Sequence, residues 1–154
     1  MKFAFLLILI FSATAVSAQN WPSFRGPNAT GIADGSNPPT VWDAEKSTNI
    51  LWKTEIPGLG HSSPIVWGNR VFITTAVSSA ANSEFVHGQT DTPASANDNS
   101  KHLMRVYCLD KNSGKVIWEK TVYEGAPKVK RHVKASHANS TPATDGKHVV
   151  VSFG

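Results

Sequence analysis

The chain consists of short runs of β-prone apolar residues that are separated by residues typical of turns. The runs predict strands at about 50–56, 62–67, 70–75, 103–109, 115–122, 140–144 and 147–153. Two polar segments between them, 76–102 and 123–139, predict long loops, and the first has no apolar period. The pattern therefore predicts an all-β chain.

Residues 108–118 predict a tight hairpin between two of these strands. Gly114 is the residue best suited to a positive φ at the end of the turn. Asp110 can accept hydrogen bonds from backbone donors two or three residues later. Trp118 is costly to expose without a packing role, so we expect a neighbouring surface against it.

An internal repeat links the two halves of the chain. The matching segments are 50–54 with 116–120 and 62–73 with 140–151. Trp52 and Trp118 are 66 residues apart (118 − 52), whereas Pro64 and Pro142 are 78 apart (142 − 64). The difference indicates an insertion between Trp118 and Pro142. Each spacing exceeds the roughly 40 to 50 residues of a usual propeller blade.

The hairpin resembles the tryptophan-docking repeat of pyrroloquinoline quinone (PQQ)-type β-propellers, usually Ala-x-Asp-x-x-Thr-Gly-x-x-x-Trp. Asp110, Gly114 and Trp118 match that motif outright. Cys108 stands at its Ala position and Ser113 at its Thr position. The string Trp-Pro-Ser-Phe-Arg-Gly-Pro, at 21–27, also resembles the opening of many exported bacterial proteins with PQQ repeats.

The resemblance implies a quinoprotein-like β-propeller of four-stranded antiparallel blades, of which about two are present in this chain. Its first complete blade has strands A (62–67), B (70–75), C (103–109) and D (115–122). Trp52 lies on a D strand without preceding partners, and Trp52, Asp110, Gly114 and Trp118 form the structural docking motif. Because propellers have about 4 to 8 blades, we expect the chain to be an N-terminal fragment.

Three segments are predicted along the chain: a signal peptide at 1–18, an extended arm at 19–48 and a partial propeller repeat domain at 49–154. The first has Lys2, an apolar run at 3–11 and the small residues Val-Ser-Ala before Gln19. No Cys follows it as a lipid anchor. The protein is expected to be exported, periplasmic or extracellular, without a membrane anchor.

Composition adds little about partners. The chain is 40% hydrophobic and 17% charged, as in ordinary globular domains, with a formal net charge of +4. This mild excess of positive charge indicates no particular partner. Nucleic acid is a poor candidate for an exported protein.

Blade topology predicts on which side a ligand binds. In an up-and-down blade, the A-to-B and C-to-D turns share one side, and the B-to-C and D-to-A connections share the other. The first side has only tight turns, whereas the second has the loops 76–102 and 123–139. Binding residues are usually on long loops of a rigid scaffold, so we expect function on the long-loop side.

The candidate ligand contacts on that side are mostly basic: His61, Lys128, Lys130, Arg131, Lys134, His137 and Asn139. The cations between 128 and 137 either attract a protein partner or an acidic ligand, or form a solvated loop. His61 and Asn139 precede Ser-x-Pro at equivalent positions and are predicted near the mouth of the central funnel. Each could contact a ligand, or pack or cap locally. His132 and His137 lack further ligands for a metal site.

No catalytic residue is assigned, since neither a Gly-x-Ser-x-Gly motif nor a pair of catalytic carboxylates is found. The interpretation is a binding or scaffolding module. The alternative is a quinoprotein dehydrogenase, in which PQQ and calcium take a hydride from an alcohol or sugar. The resemblance implies, for such enzymes, adjacent cysteines beside the quinone, Glu, Asn and Asp on calcium, and an Asp base. None of these groups is assigned here.

Overall fold

The computed structural model describes residues 19–80 and 95–154, and its main element is a four-stranded antiparallel sheet. Its strands, in spatial order, are β1 (Ile65–Trp67), β2 (Arg70–Ser78), β3 (His102–Asp110) and β4 (Val116–Gly125). A separate hairpin consists of β5 (Ala143–Thr144) and β6 (Val149–Val150). In the described ranges the only helical element is a 3-10 turn, Pro27–Ala29. The prediction of a β-rich chain is therefore confirmed.

The expected strand at 50–56 is absent, and five of the six other predicted strands differ from the observed ones by two residues or more at one end or both. A strand requires a neighbouring backbone, and residues 50–56 have no ladder partner within the described ranges. β2 and β4 each continue three residues beyond their predicted ends. The long connections consequently run over 79–101 and 126–142. The second is called the basic loop below. β5 and β6 pair only with each other and contain two residues each.

Other parts of the chain cover both faces of the sheet at β1 to β3, whereas β4 is exposed. On one face, Phe72 and Cys108 pack with Trp67 and with Val149 of β6. On the other face, the cluster of Val71, Tyr107 and Leu109 packs against Trp52 and Ile56 of the segment that precedes β1. The core therefore lies on the two faces of β1 to β3. The Cys108 thiol is fully buried, and this burial raises its pKa.

The predicted arm at 19–48 covers the free edge of β1. The amide of Trp21 donates to the carbonyl of Val66 over 2.7 Å, and the Val66 amide donates back to Trp21 over 2.9 Å. The amide of Gly68 donates to Oδ1 of Asn20 over 2.7 Å. These bonds satisfy backbone groups that an edge strand otherwise leaves open.

The second hairpin repeats the geometry of the first at the spacing that the Pro residues predict. A shift of 78 residues carries the pair Ile65 and Phe72 of β1–β2 onto the pair Ala143 and Val150 of β5–β6 (143 − 65 and 150 − 72). The two repeats also touch each other, because the Ser63 amide donates to Oγ1 of Thr141 over 3.0 Å. The repeat is thus a structural as well as a sequence feature.

Some expectations concern residues beyond those described. The expected signal peptide at 1–18 is outside the described ranges, as is 81–94 of the first long loop. Among the described residues, no helix is long and apolar enough to cross a membrane.

Candidate functional site on the long-loop side

The tight turn between β3 and β4 has the conformation that its sequence predicts. Oδ1 of Asp110 accepts hydrogen bonds from the amides of Asn112 and Ser113, over 3.1 and 2.8 Å. Its Oδ2 accepts one from Nδ2 of Asn69 over 2.5 Å. The bonds from Ser113, followed by those from Asn112 and Asn69, hold the pKa of Asp110 below its ordinary value. Gly114 has a φ of 69°, as expected.

Trp52 docks on this turn. Its ring lies so close to Gly114 that a Cβ at that position would overlap it. Its Nε1 donates to the carbonyl of Lys111 over 2.8 Å, and the hydroxyl of Thr54 donates to the carbonyl of Gly114 over 2.6 Å. These contacts hold the segment at 50–56 to the sheet without strand pairing.

Trp118 is less enclosed than the sequence suggests. It contacts Phe72 with ring centroids 6.0 Å apart and remains 38% exposed. Within the described residues, no turn covers Trp118 in the way that the β3–β4 turn covers Trp52.

The connections fall on two sides of the sheet, as predicted. On one side the two tight turns meet, where the Lys111 amide donates to the carbonyl of Asn69 over 3.0 Å. On the opposite side, Ser95 forms a bridge with His132 of the basic loop. The Ala96 amide donates to the carbonyl of Arg131 over 2.9 Å. The two long connections therefore contact each other.

Three of the predicted cations are available to a ligand. Lys128 and Lys130 are exposed and Lys134 is half-buried. In the part of the chain that the structure describes, none of the three forms an ion pair. Lys128 lines an open groove of about 430 Å³ whose other walls are largely apolar, including Met104, Tyr123, Pro127, Val129 and Phe153.

Arg131, also a candidate ligand contact, differs from these lysines because it is buried. Its side chain turns inward and the residue is only 7% exposed. Nη1 of Arg131 lies 3.0 to 3.5 Å from the carbonyl oxygens of His132, Val133 and Ala135. All three carbonyls belong to the basic loop, so the hydrogen bonds from Arg131 stabilise the conformation of this loop.

His137 is also buried, with 2% exposure, so little of its surface is open to a ligand. Its ring meets that of His102 edge to face, with centroids 5.1 Å apart. Burial, and then the neighbouring His102 and Arg131, hold the pKa of His137 below its ordinary value. Its carbonyl accepts a hydrogen bond from the Gly154 amide over 3.0 Å.

His61 and Asn139 are brought together, as their equivalent positions imply. The backbone amide of His61 donates to the carbonyl of Ala138 over 3.1 Å, and both candidate residues are exposed. Oδ1 of Asn139 accepts from the amide and hydroxyl of Ser136, over 3.0 and 3.3 Å. Asn139 therefore caps the loop locally, which was one of the two roles considered for it.

A polar cluster beside His137 was missed from the sequence. Nδ1 of His102 bonds to the carbonyl of Ser100 over 2.9 Å, and its Nε2 lies 3.5 Å from Oδ2 of Asp98. The Ser78 hydroxyl donates to Asp98 over 2.7 Å. Partial burial acts to raise the pKa of Asp98, yet the bonds from Ser100 and Ser78 lower it. The alternation of side chains along β3 could have indicated that His102 is buried, because His102 lies two residues before buried Met104 and therefore on the same face of the strand.

Nothing in this geometry assigns a cofactor. In residues 19–80 and 95–154, no three His, Cys, Asp or Glu side chains are grouped so as to hold a metal ion. The residues that would hold calcium or a quinone in the alternative interpretation are not identified. Comparison of the chain with family models, curated proteins and solved structures found no match.

Proposed function

We propose that the protein is an exported β-propeller of the PQQ-like repeat class that acts as a binding or scaffolding module. The docking of Trp52 on Gly114 supports this proposal, because it joins one repeat to the next across a sheet face. The contact between the equivalent residues Ser63 and Thr141 supports it as well, since the innermost strands of adjacent blades are neighbours in a propeller. On this proposal, a further blade covers the exposed ring of Trp118.

The bound partner is an acidic ligand, and the basic loop contacts it. The observation that carries this conclusion is that Lys128, Lys130 and Lys134 form no ion pair within the described ranges. Three positive charges that have no ion-pair partner in the described ranges, all on the basic loop, attract an anion over about a Debye length, roughly 8 Å at physiological salt. The apolar groove beside Lys128 offers contact area next to that charge.

The test compares two variants of the full chain that lose the same charge. The first replaces Lys128, Lys130 and Lys134 with Ser. The control replaces Lys111, Lys115 and Lys147 with Ser, on the tight turns of the opposite side. Titration with poly-L-glutamate at rising salt is expected to show binding that weakens with salt and is lost only in the first variant.

Two results would contradict the proposal. Equal loss of binding in both variants would indicate attraction by net charge alone. Reduction of a dye by the chain with PQQ, calcium and an alcohol or sugar would instead support the quinoprotein dehydrogenase.

A further inference from the structure

His137 is placed where several segments of the chain meet. Its ring contacts that of His102, at the start of β3, and its carbonyl accepts from the Gly154 amide. The carbonyl of the next residue, Ala138, accepts from the amides of His61 and Ser62, over 3.1 Å in each case. The basic loop is therefore attached to the rest of the fold by backbone hydrogen bonds at residues 137 and 138, beside the ring contact of His137 with His102.

The surroundings of His137 disfavour a positive charge. Two other cationic or protonatable side chains are close, His102 from β3 and Arg131 from the basic loop, and Lys128 lines the groove on the other side. β4 contributes Tyr123 to that groove. In the described part of the chain, the nearby carboxylate of Asp98 acts in the opposite direction and favours a charged His137, but it already accepts hydrogen bonds from two serine hydroxyls and faces His102. β2 contributes Ala76 and Ser78, neither of which is charged.

Although His137 also lines the open groove beside Lys128, the cavity between these groups has room for little water. Its volume is about 10 Å³, and its walls include Ser78, His102, Arg131, Ser136 and His137. That volume is close to the minimum for a single water molecule. A proton on His137 thus adds a positive charge to a buried ring near the Arg131 guanidinium.

We propose that His137 is an acid-sensitive latch: with a neutral imidazole it holds the basic loop against the segment 95–102, and when it is protonated beside His102 and Arg131 the loop detaches. Detachment frees Lys128, Lys130 and Lys134 from their fixed positions on the long-loop side. The inference requires no ligand, so it stands or falls separately from the proposed function.

The direction of the pH dependence follows from the environment of His137. Its pKa in the folded protein is below the ordinary value of 6.5, because burial and the neighbouring cations disfavour the charged form. The attachment is at full strength above 6.5, the value expected when the loop is detached, and weakens as the pH falls through the lower folded value. Below the folded pKa, the equilibrium constant for detachment of the basic loop is larger by about tenfold for each unit by which the pKa of His137 is lowered.

The experiment is amide hydrogen exchange on the full chain between about pH 7.5 and pH 5.5, with each rate divided by the intrinsic rate at that pH. The reporters are the amides of His61, Ser62, Ala96 and Gly154, each of which donates to the basic loop from another segment. The amides of the β2–β3 ladder serve as the internal control. Acid is expected to reduce protection at the reporters and to leave the ladder unchanged.

Two variants distinguish protonation of His137 from other effects of acid on the protection of the reporter amides. In His137→Gln the side chain cannot take up a proton, so the pH dependence at the reporters should disappear. In His148→Gln, where an exposed ring beside Asp145 is removed from a distant turn, it should remain. Persistence of the pH dependence in His137→Gln overturns the proposal.

If His137→Gln does not fold, two measurements on the wild-type chain still test the latch. A change in reporter protection of less than about twofold across that pH range would overturn the latch. So would an NMR titration in which the His137 ring takes up its proton at or above its ordinary value of 6.5.

Discussion

The indole ring of Trp52 lies against Gly114, in a position that a Cβ at residue 114 would occupy. Gly114 also has a φ of 69°, in the region that favours glycine. Two requirements for glycine therefore coincide at this residue. The first is the shape of the turn, and the second is the close approach of an aromatic ring from a segment about sixty residues earlier.

Gly114→Ala should destabilise the protein by more than backbone strain alone. A left-handed alanine costs about 1 to 2 kcal/mol, and displacement of the Trp52 ring adds about 1 to 3 kcal/mol. The control is Gly68→Ala, because Gly68 has a φ of 56° and open space where a Cβ would be. Urea unfolding of both variants measures the difference. Equal losses would mean that Trp52 does not press on the turn in solution.

Trp52→Ala should cost more stability than Trp118→Ala in this chain. Trp52 loses both its packing and its hydrogen bond to the Lys111 carbonyl, for which we expect about 2 to 4 kcal/mol. Trp118 is 38% exposed and contacts Phe72, so about 1 to 2 kcal/mol is expected there. Urea midpoints compare the two variants. A larger loss at Trp118 would show that its ring is covered in solution by a surface outside the described residues.

Arg131→Gln should destabilise the basic loop, whereas Lys130→Ser should not. The guanidinium of Arg131 is buried among three carbonyls, and buried acceptors that lose their donor cost about 1 to 3 kcal/mol. Lys130 is exposed, and surface changes usually remain within about 0.5 kcal/mol. Thermal unfolding measures both. If the two substitutions lower the melting temperature equally, the inward position of Arg131 is wrong.

Asp110→Asn should reduce the loss of stability in acid. The turn lowers the pKa of Asp110 in the folded state. A lowered carboxyl pKa contributes stability above the unfolded value of 3.8, and that contribution is lost as the pH falls through the lower folded value. The measurement is the urea midpoint at about pH 7 and about pH 3, and the difference should be smaller in the variant than in the wild type.

Asp34→Asn is the matched control for Asp110→Asn. The Asp34 side chain makes no hydrogen bond or ion pair within the described ranges. This substitution should leave the difference between the two midpoints unchanged. If both variants show the same difference between the urea midpoints at about pH 7 and about pH 3 as the wild type, the stability of the turn does not depend on the charge of Asp110.

Export should remove residues 1–18. The small residues before Gln19 predict cleavage after Ala18, so the exported product should begin with Gln19. Mass spectrometry of that product checks the mass of its first peptide. A membrane-bound product that retains 1–18 would contradict the prediction.

The hairpin around Asp110 and Gly114 was predictable because its determinants are local. A carboxylate that accepts nearby amides, and a glycine with positive φ, act within five residues of sequence. The two sides of the sheet followed from strand order alone, since alternating connections must leave an antiparallel sheet at opposite ends. The repeat spacing likewise matched Ser63 with Thr141, whereas their hydrogen bond was found only in the structure.

Which of the candidate cations face solvent was decided only by tertiary structure. Lys128, Lys130 and Arg131 look alike in the sequence, yet the carbonyls of the basic loop take up Arg131 and leave the lysines exposed. His137 meets His102 across 35 residues of chain. Whether a side chain is buried depends on which distant segments pack against it. The local pattern of charges does not show which segments those are.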